Sequence, residues 1–178
     1  RQRFCPKDDG SATRRVLDLV FKDLYDENAA ASDDVKPILF FAGPFMPNGI
    51  TTSFLNLCQN LDSKRYRPVV MLDPKNMIDF PERLEQYGKV KEKIQALGRA
   101  GRMNITVEER RLIDEFIFSY NLPNEETWRI CAKAYAREFI RMFGYTKFEA
   151  VVNFEGYSQF WAAVIAFAPE TSAKSKAI

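Results

Sequence analysis

Residues 36–61 have the sequence KPILFFAGPFMPNGITTSFLNLCQNL, and this segment determines the fold that we predict for the chain. The unbroken apolar run 38–42 is typical of a parallel strand buried on both faces. Glycine and proline residues at 43–49 predict a loop, and apolar residues at helical spacing from Phe54 to Leu61 predict a helix behind it. The loop therefore lies where open parallel sheets bind ligands, at a strand's carboxyl end and a helix's amino end.

Strands and helices alternate along the rest of the chain. Further strands are predicted at 67–73, 91–97 and 148–154, with another opening at 176–178. Further helices are predicted at 79–88, from the capping box Thr106-Val-Glu-Glu109 to 120, at 124–144 and at 159–168. The pattern predicts an α/β chain with a doubly wound, mostly parallel Rossmann-like sheet and a helical insertion before the fourth strand.

The N-terminal residues 1–35 form a separate part of the predicted organisation. They comprise a polar tail and an additional helix at 13–26 with an apolar stripe, whose members are Val16, Leu17, Val20, Phe21 and Leu24. We expect this helix to pack on a domain formed by residues 36–178. Because the chain starts without methionine and ends as a strand begins, we interpret it as an excised domain truncated at its C-terminal strand.

Composition excludes several classes of function. With 26 basic and 24 acidic residues the net charge is +2, which gives no general attraction to nucleic acid. The absence of histidine argues against Ser-His-Asp or Cys-His catalysis and against most zinc sites, so we expect no metal. Three widely spaced cysteines, no signal peptide and no apolar run approaching the ~20 residues of a spanning helix predict a cytoplasmic location.

The first loop contains neither the G-x-G-x-x-G fingerprint nor the Walker lysine, so we expect no nicotinamide or ATP pocket and no cofactor. Gly49 lacks a Cβ and would let a substrate lie against the backbone at the helix start. Its neighbours Asn48, Thr51, Thr52 and Ser53 offer polar groups suited to hydroxyls or phosphate oxygens. Asp73 occupies the position of a ribose-binding acid, although a turn-forming Asp-Pro is the favoured explanation.

Two later segments carry further candidates, each with a structural alternative. Arg99 and Arg102, flanked by glycines in a basic segment, either form a solvated face or contact an anionic group. Glu155 follows a strand at a position equivalent to the first loop, where a carboxylate could bind sugar or polyol hydroxyls or act as a base. The alternative is a surface glutamate, but the neighbouring Gly156 and Tyr157 favour the functional interpretation.

These residues resemble a known family. The first loop with its flanking strand and helix, the YRPVVMLD strand at 66–73, LGRAGRMN at 97–104 and FEAVVNFEGYSQFWA at 148–162 are similar to the N-terminal Rossmann-like domain of bacterial GT-B glycosyltransferases. The similarity is greatest to the CDP-glycerol glycerophosphotransferase-like proteins of teichoic-acid-type wall polymer synthesis. It covers approximately residues 36–178.

The resemblance implies an enzyme with two domains facing a cleft. The domain represented here would bind the acceptor, a glycan or polyol phosphate, while a C-terminal domain would bind most of a nucleotide-activated donor. Gly49, Ile50 and their neighbours would line the cleft near the donor phosphates. The resemblance also implies a parent protein at the inner face of the membrane, with peripheral membrane association, and an isolated domain that does not catalyse transfer. The competing hypothesis is a noncatalytic Rossmann-like binding or regulatory module, and a dehydrogenase fragment ranks below both.

Overall fold

Five parallel strands form one sheet with β1 (Lys36–Phe40) at its centre. In the computed structural model the described residues are 35–72, 74–98, 103–118 and 125–178, without the side chains of 74–76. The other strands are β2 (Tyr66–Leu72), β3 (Gln95–Gly98), β4 (Phe148–Val152) and β5 (Ala173–Ala177). The order is β3-β2-β1-β4-β5, and every neighbouring pair is parallel. The predicted doubly wound, Rossmann-like α/β fold is therefore confirmed.

Helices cover both faces of this sheet. They are α1 (Gly49–Asn60), α2 (Pro74–Asp79), α3 (Pro81–Gly88), α4 (Val107–Phe118), α5 (Glu125–Phe143) and α6 (Gln159–Ala166), with a 3-10 turn at Glu170–Ser172. The chain moves outward from β1 through β2 to β3 and then returns to the other side of β1 for β4 and β5. Because parallel crossovers are right-handed, this reversal places α1 to α3 on one face and α4 to α6 on the other.

The central strand explains why its sequence is an unbroken apolar run. Ile38 and Phe40 belong to the core layer that includes α1, where Phe40 and Phe54 make an edge contact with their centroids 5.4 Å apart. Leu39 and Phe41 belong to the opposite layer, which includes α5 and α6. All four side chains are essentially inaccessible to solvent. Both faces of β1 are buried, as expected for a strand of an α/β sheet.

Several predicted boundaries differ from the structure. Residues 79–88 were expected to form one helix, but two helices meet at Phe80, because Pro81 is suited to the first position of a new helix. The third strand is shorter than the predicted 91–97 and begins only at Gln95, since the chain forms turns before it. The last strand begins at Ala173 rather than at residue 176. The predicted helix at 13–26 lies outside the described residues.

The predicted capping box at α4 is confirmed. The Glu109 N–H donates to Thr106 Oγ1 over 3.1 Å, and the Thr106 N–H donates to Glu109 Oε2 over 2.9 Å. The same carboxylate accepts from Arg137 Nη2 over 2.9 Å, so it also joins α4 to α5. The predicted glycine at the end of α5, Gly144, has a φ of +60° and so adopts the left-handed conformation typical of a helix terminus.

Burial of Cys58 in the α1 core predicts a loss of stability in alkaline solution. Burial raises the pKa of the Cys58 thiol from 9.0 to about 12, although nearby Lys93 opposes the change. Because the folded-state pKa lies above the unfolded value, the stabilisation is complete below pH ~9 and is lost as the pH rises toward about 12. Over that interval the free energy of unfolding should fall by up to ~1.4 kcal/mol per pH unit from this thiol.

Urea unfolding of the wild type and of Cys58→Ala at a series of pH values measures this contribution. The variant should have a shallower alkaline slope, and the remaining slope includes Tyr135, whose pKa burial also raises to about 12. Identical slopes for the two proteins would show that Cys58 ionises in the folded state as readily as in the unfolded chain.

Candidate functional site

The loops after β1 and β4 separate at the carboxyl edge of the sheet. The loop after β1 leads to α1 on one face, whereas the loop after β4 leads to α6 on the other, so a crevice opens between them. Backbone hydrogen bonds extend the pairing beyond the strands. The Phe41 N–H donates to the Val152 carbonyl over 2.9 Å, and the Glu155 N–H donates to the Phe41 carbonyl over 3.0 Å. These bonds fix the position of Glu155 at the crevice.

A cavity of about 350 Å³ lies at this crevice, and its size is typical of small-molecule sites. Its polar lining includes Glu155 and Ser158, and its apolar lining includes Phe41, Phe160 and Trp161. Among the described residues that line it, Glu155 is the only one with an ionisable side chain. The cavity therefore combines one carboxylate with an aromatic wall.

Gly43 allows the Glu155 carboxyl group to lie against the backbone of the first loop. Its φ of +75° is a conformation that residues with a Cβ rarely adopt. A Cβ built on Gly43 would also lie 3.1 Å from Glu155 Cδ, closer than ordinary van der Waals contact. Sequence analysis overlooked Gly43 and emphasised Gly49, although a glycine directly after a buried strand is itself a signal of close backbone approach.

Gly49 lies in a different environment from Gly43. It is the first residue of α1, its φ is outside the left-handed region, and a Cβ built there would have no neighbour within 4 Å. It lines a second cavity of about 410 Å³ together with Ile50, Ser53 and Asn153. The structure thus places Gly49 and Ile50 on the α1 side of the carboxyl edge, whereas the cavity at Glu155 lies toward α6.

The polar residues predicted beside Gly49 have structural roles within α1. Asn48 is the N-cap, and its Oδ1 accepts from the Thr51 N–H over 3.0 Å. Thr51 is only 3% exposed, so its side chain contributes to packing. The Thr52 hydroxyl donates to the Asn48 carbonyl over 2.9 Å. Ligand contacts by these three residues stay predictions.

Of the remaining predicted residues, Tyr157 lies in the described part of the chain. Tyr157 is 78% exposed beside Gly156, whose φ is +74°. Arg99 and Arg102 lie outside the described residues, as does Asp73, so the anion contact considered for the arginines and the turn favoured for Asp73 stay predictions. Glu155 therefore lies in the lining of the cavity at the crevice, whereas Tyr157 is exposed and is not one of its lining residues.

The start of α6 supplies residues that sequence analysis missed. Ser158 is the N-cap, and its Oγ accepts from the Trp161 N–H over 3.3 Å. The Trp161 ring stacks on Phe41, with centroids 4.0 Å apart and planes inclined by 17°. A serine directly before an apolar helical segment is a recognisable capping signal. The stacking of Trp161 on Phe41 depends on the arrangement of the two layers and has no local signal.

Asn153, also missed, lies directly after β4. It is buried, and its Oδ1 accepts from the Gly156 N–H over 3.4 Å. Its Nδ2 has no hydrogen-bond partner among the described residues. The Oδ1 bond ties Asn153 to the loop that carries Glu155, so the residue has a positioning role in the site.

No metal site is found in the described part of the chain, where no group of three or more histidine, cysteine, aspartate or glutamate side chains could hold an ion. Within 35–72, 74–98, 103–118 and 125–178, no helix combines the length and apolar character needed to cross a bilayer. No protein-family model matches the chain, and no curated protein matches it significantly. The resemblance to glycosyltransferases therefore rests on the motifs given above.

The contrast between the two glycines predicts opposite effects of the same substitution. Gly43→Ala should lower the free energy of unfolding by at least ~1–2 kcal/mol, because it places a Cβ in the left-handed region and against Glu155. Gly49→Ala should leave stability unchanged or raised, because it enters open space at a helical position. Urea unfolding of both variants measures this difference. Equal losses for the two would contradict the geometry described for the first loop.

Proposed function

We propose that this chain is the acceptor-side domain of a GT-B-type transferase in a parent enzyme. The enzyme moves a sugar, or alternatively a glycerophosphate, from a nucleotide-activated donor to a hydroxyl of a glycan or polyol-phosphate acceptor. The observation that carries the proposal is the position of Glu155, whose carboxyl group lies against Gly43 in the cavity at the crevice. This is the part of a doubly wound sheet where ligands bind.

The chemistry proposed for Glu155 is that of a general base. The acceptor hydroxyl oxygen forms a bond to the donor's transferred carbon or phosphorus atom, and the bond from that atom to the nucleotide's leaving oxygen breaks. The nucleotide leaves with the bonding electron pair, and the hydroxyl proton passes to the Glu155 carboxylate. A positioned base of this kind typically contributes 10²–10⁴-fold to a rate.

The charge of the cavity supports a neutral, hydroxyl-bearing group as its occupant. Among the described residues of the lining, Glu155 is the only one with an ionisable side chain, so a phosphate beside its carboxylate would be repelled by it. Phe160 and Trp161 offer an apolar wall suited to the carbon skeleton of a sugar or polyol. The phosphate of a polyol-phosphate acceptor would then lie outside this cavity.

The cavity on the α1 side is suited to the donor. None of the described residues that line it is acidic, and the amino end of α1, where the helix dipole is positive, lies beside it at Gly49 and Ile50. In this proposal Gly49 and Ile50 lie near the donor phosphates, as the resemblance implies. The nucleotide itself is bound mainly by the second domain of the parent enzyme, which works at the cytoplasmic face of the membrane.

Glu155→Gln in the parent enzyme tests the proposal, because glutamine preserves the size of the side chain but cannot accept the proton. The value of kcat/KM for transfer to a polyol-phosphate acceptor should fall by at least ~10²-fold. The substrates tested would be a panel of nucleotide sugars and CDP-glycerol. The matched control is Glu92→Gln, since Glu92 is 87% exposed and precedes β3 at the opposite, amino edge of the sheet.

Rates are compared per folded molecule, with the thermal midpoint as the check on folding. Near-normal transfer by Glu155→Gln would remove Glu155 from the mechanism. Binding of acceptor or donor by the intact parent protein with no transfer would instead favour the noncatalytic binding module.

A further inference from the structure

The guanidinium group of Arg83, on α3, is held in place by groups that do not neutralise its charge. Its Nε–H donates to Met46 Sδ over 3.0 Å, and its central carbon lies 4.0 Å from the centroid of the Phe80 ring. The side chain is half-buried. Because neither a thioether nor an aromatic ring carries a net negative charge, Arg83 keeps its full positive charge in a fixed orientation.

Four arginines of α4 and α5 are bound differently, since each pairs with a carboxylate. The pairs are Arg110–Asp114, Arg111–Glu108, Arg137–Glu109 and Arg141–Glu138. Arg83 forms no ion pair with any residue in the part of the chain that the structure describes. A guanidinium group has five N–H donors in a fork that matches the oxygens of a phosphate. Within the described residues only the Nε–H of Arg83 is used, so both of its terminal nitrogens remain available to an anion.

The packing of α3 on the first loop places Arg83 beside the crevice. Tyr87, one helical turn after Arg83, makes a ring contact with Phe45 of the loop, with centroids 6.2 Å apart. Phe45 is fully buried and has a φ of +56°, an unfavourable conformation for a residue with a Cβ that is found most often at ligand sites. Pro44 of the same loop and Met77 of α2 line the cavity at the crevice. Arg83 is therefore attached to the loop that forms one side of that cavity.

We infer that Arg83 binds a phosphate group of the acceptor at the rim of the crevice, an inference that rests on the proposed function. The Glu155 carboxylate repels a phosphate inside the cavity, whereas the guanidinium group of Arg83 attracts one beside it. The loop residues that lie beside these two side chains, Gly43 and Met46, are three positions apart, at most ~11 Å along the chain. A hydroxyl at Glu155 and a phosphate at Arg83 can therefore belong to one polyol-phosphate acceptor.

A donor phosphate is the other source of the same chemistry. The cavity assigned to the donor is lined by Val152, Asn153 and Ala177, which lie on the β4 and β5 side of the sheet. In contrast, α3 belongs to the connection between β2 and β3. Arg83 therefore lies on the opposite side of the central strand from the donor cavity, which favours the acceptor as its ligand.

The test titrates the ¹⁵N-labelled full chain with glycerol 3-phosphate and, separately, with glycerol, which lacks the phosphate. Glycerol 3-phosphate should change the signals of the Met46 amide and the Arg83 Nε–H, and glycerol should change neither. Arg83→Gln should raise the Kd of glycerol 3-phosphate by about tenfold and leave that of glycerol unchanged, because it removes only the charged donor group. The matched control Arg67→Gln removes an exposed arginine of β2 at the amino edge of the sheet and should alter neither Kd.

Two further measurements separate a binding role from a structural one. Arg83→Lys keeps the charge but lacks the fork, so its Kd for glycerol 3-phosphate should lie between those of the wild type and Arg83→Gln. Raised salt should weaken the binding of glycerol 3-phosphate to the wild type and leave that of glycerol unchanged. The salt series and the Met46 signal need no variant, so they give a result even if Arg83→Gln does not fold.

The outcomes distinguish this inference from the proposed function. If both probes change Gly43 and Glu155 but Arg83→Gln binds glycerol 3-phosphate as the wild type does, the inference is wrong and the proposed function stands. If neither probe changes Gly43 or Glu155 while glycerol 3-phosphate still binds at Arg83, the phosphate site stands and the proposed function is wrong. Binding of CDP, but not of glycerol 3-phosphate, that depends on Arg83 would assign the site to the donor and overturn the inference.

Discussion

The fold depends on the burial of β1 on both faces. Each successive side chain from Ile38 to Phe41 enters one of two apolar layers, and neither layer could form without the other because the strand between them would expose half of its residues. β1 lies at the centre of the sheet between β2 and β4, and the reversal of the strand order at β1 creates the crevice where the candidate site lies.

The positions of the residues in the candidate site depend on contacts with that core. The backbone bond from the Glu155 N–H to the Phe41 carbonyl continues the β1–β4 pairing, so the loop that carries the carboxylate is anchored to the central strand. The stacking of Trp161 on Phe41 anchors the aromatic wall of the cavity in the same way. Gly43 completes the arrangement because its φ of +75° favours a residue without a Cβ, and because a Cβ there would lie 3.1 Å from Glu155 Cδ and make the carboxyl group shift. Groups held by rigid elements are better positioned for chemistry than groups on free loops.

Much of the fold could be predicted from the sequence, because it depends on local patterns. The apolar run of β1, the capping box of α4 and Gly144 at the end of α5 each carry their own signal. The boundaries of β3 were missed because short elements depend on tertiary packing more than on pattern, whereas the break before Pro81 had a local signal, a proline at the first helical position, that was not used.

In the candidate site, Glu155 could be placed at the carboxyl edge because it follows a recognisable strand. Its neighbours could not be predicted, since the contacts of Gly43 with Glu155 and of Trp161 with Phe41 join residues more than a hundred positions apart. The choice of Gly49 over Gly43 shows the same limit. The sequence shows that both glycines lie in the loop after β1, but it does not show that Gly43 is the one that lies against Glu155.

The most direct measurement of the central claim is a titration of the ¹⁵N-labelled chain with glycerol 3-phosphate, followed by amide chemical shifts. If the crevice is the acceptor site, the largest changes will occur at Gly43, Glu155 and Ser158, while Lys36 and Glu149 at the opposite edge of the sheet remain unchanged. The changes should be lost in Glu155→Gln and retained in Glu92→Gln. Changes confined to the edge that contains Lys36 and Glu149, or an identical response of Glu155→Gln and the wild type, would contradict the account.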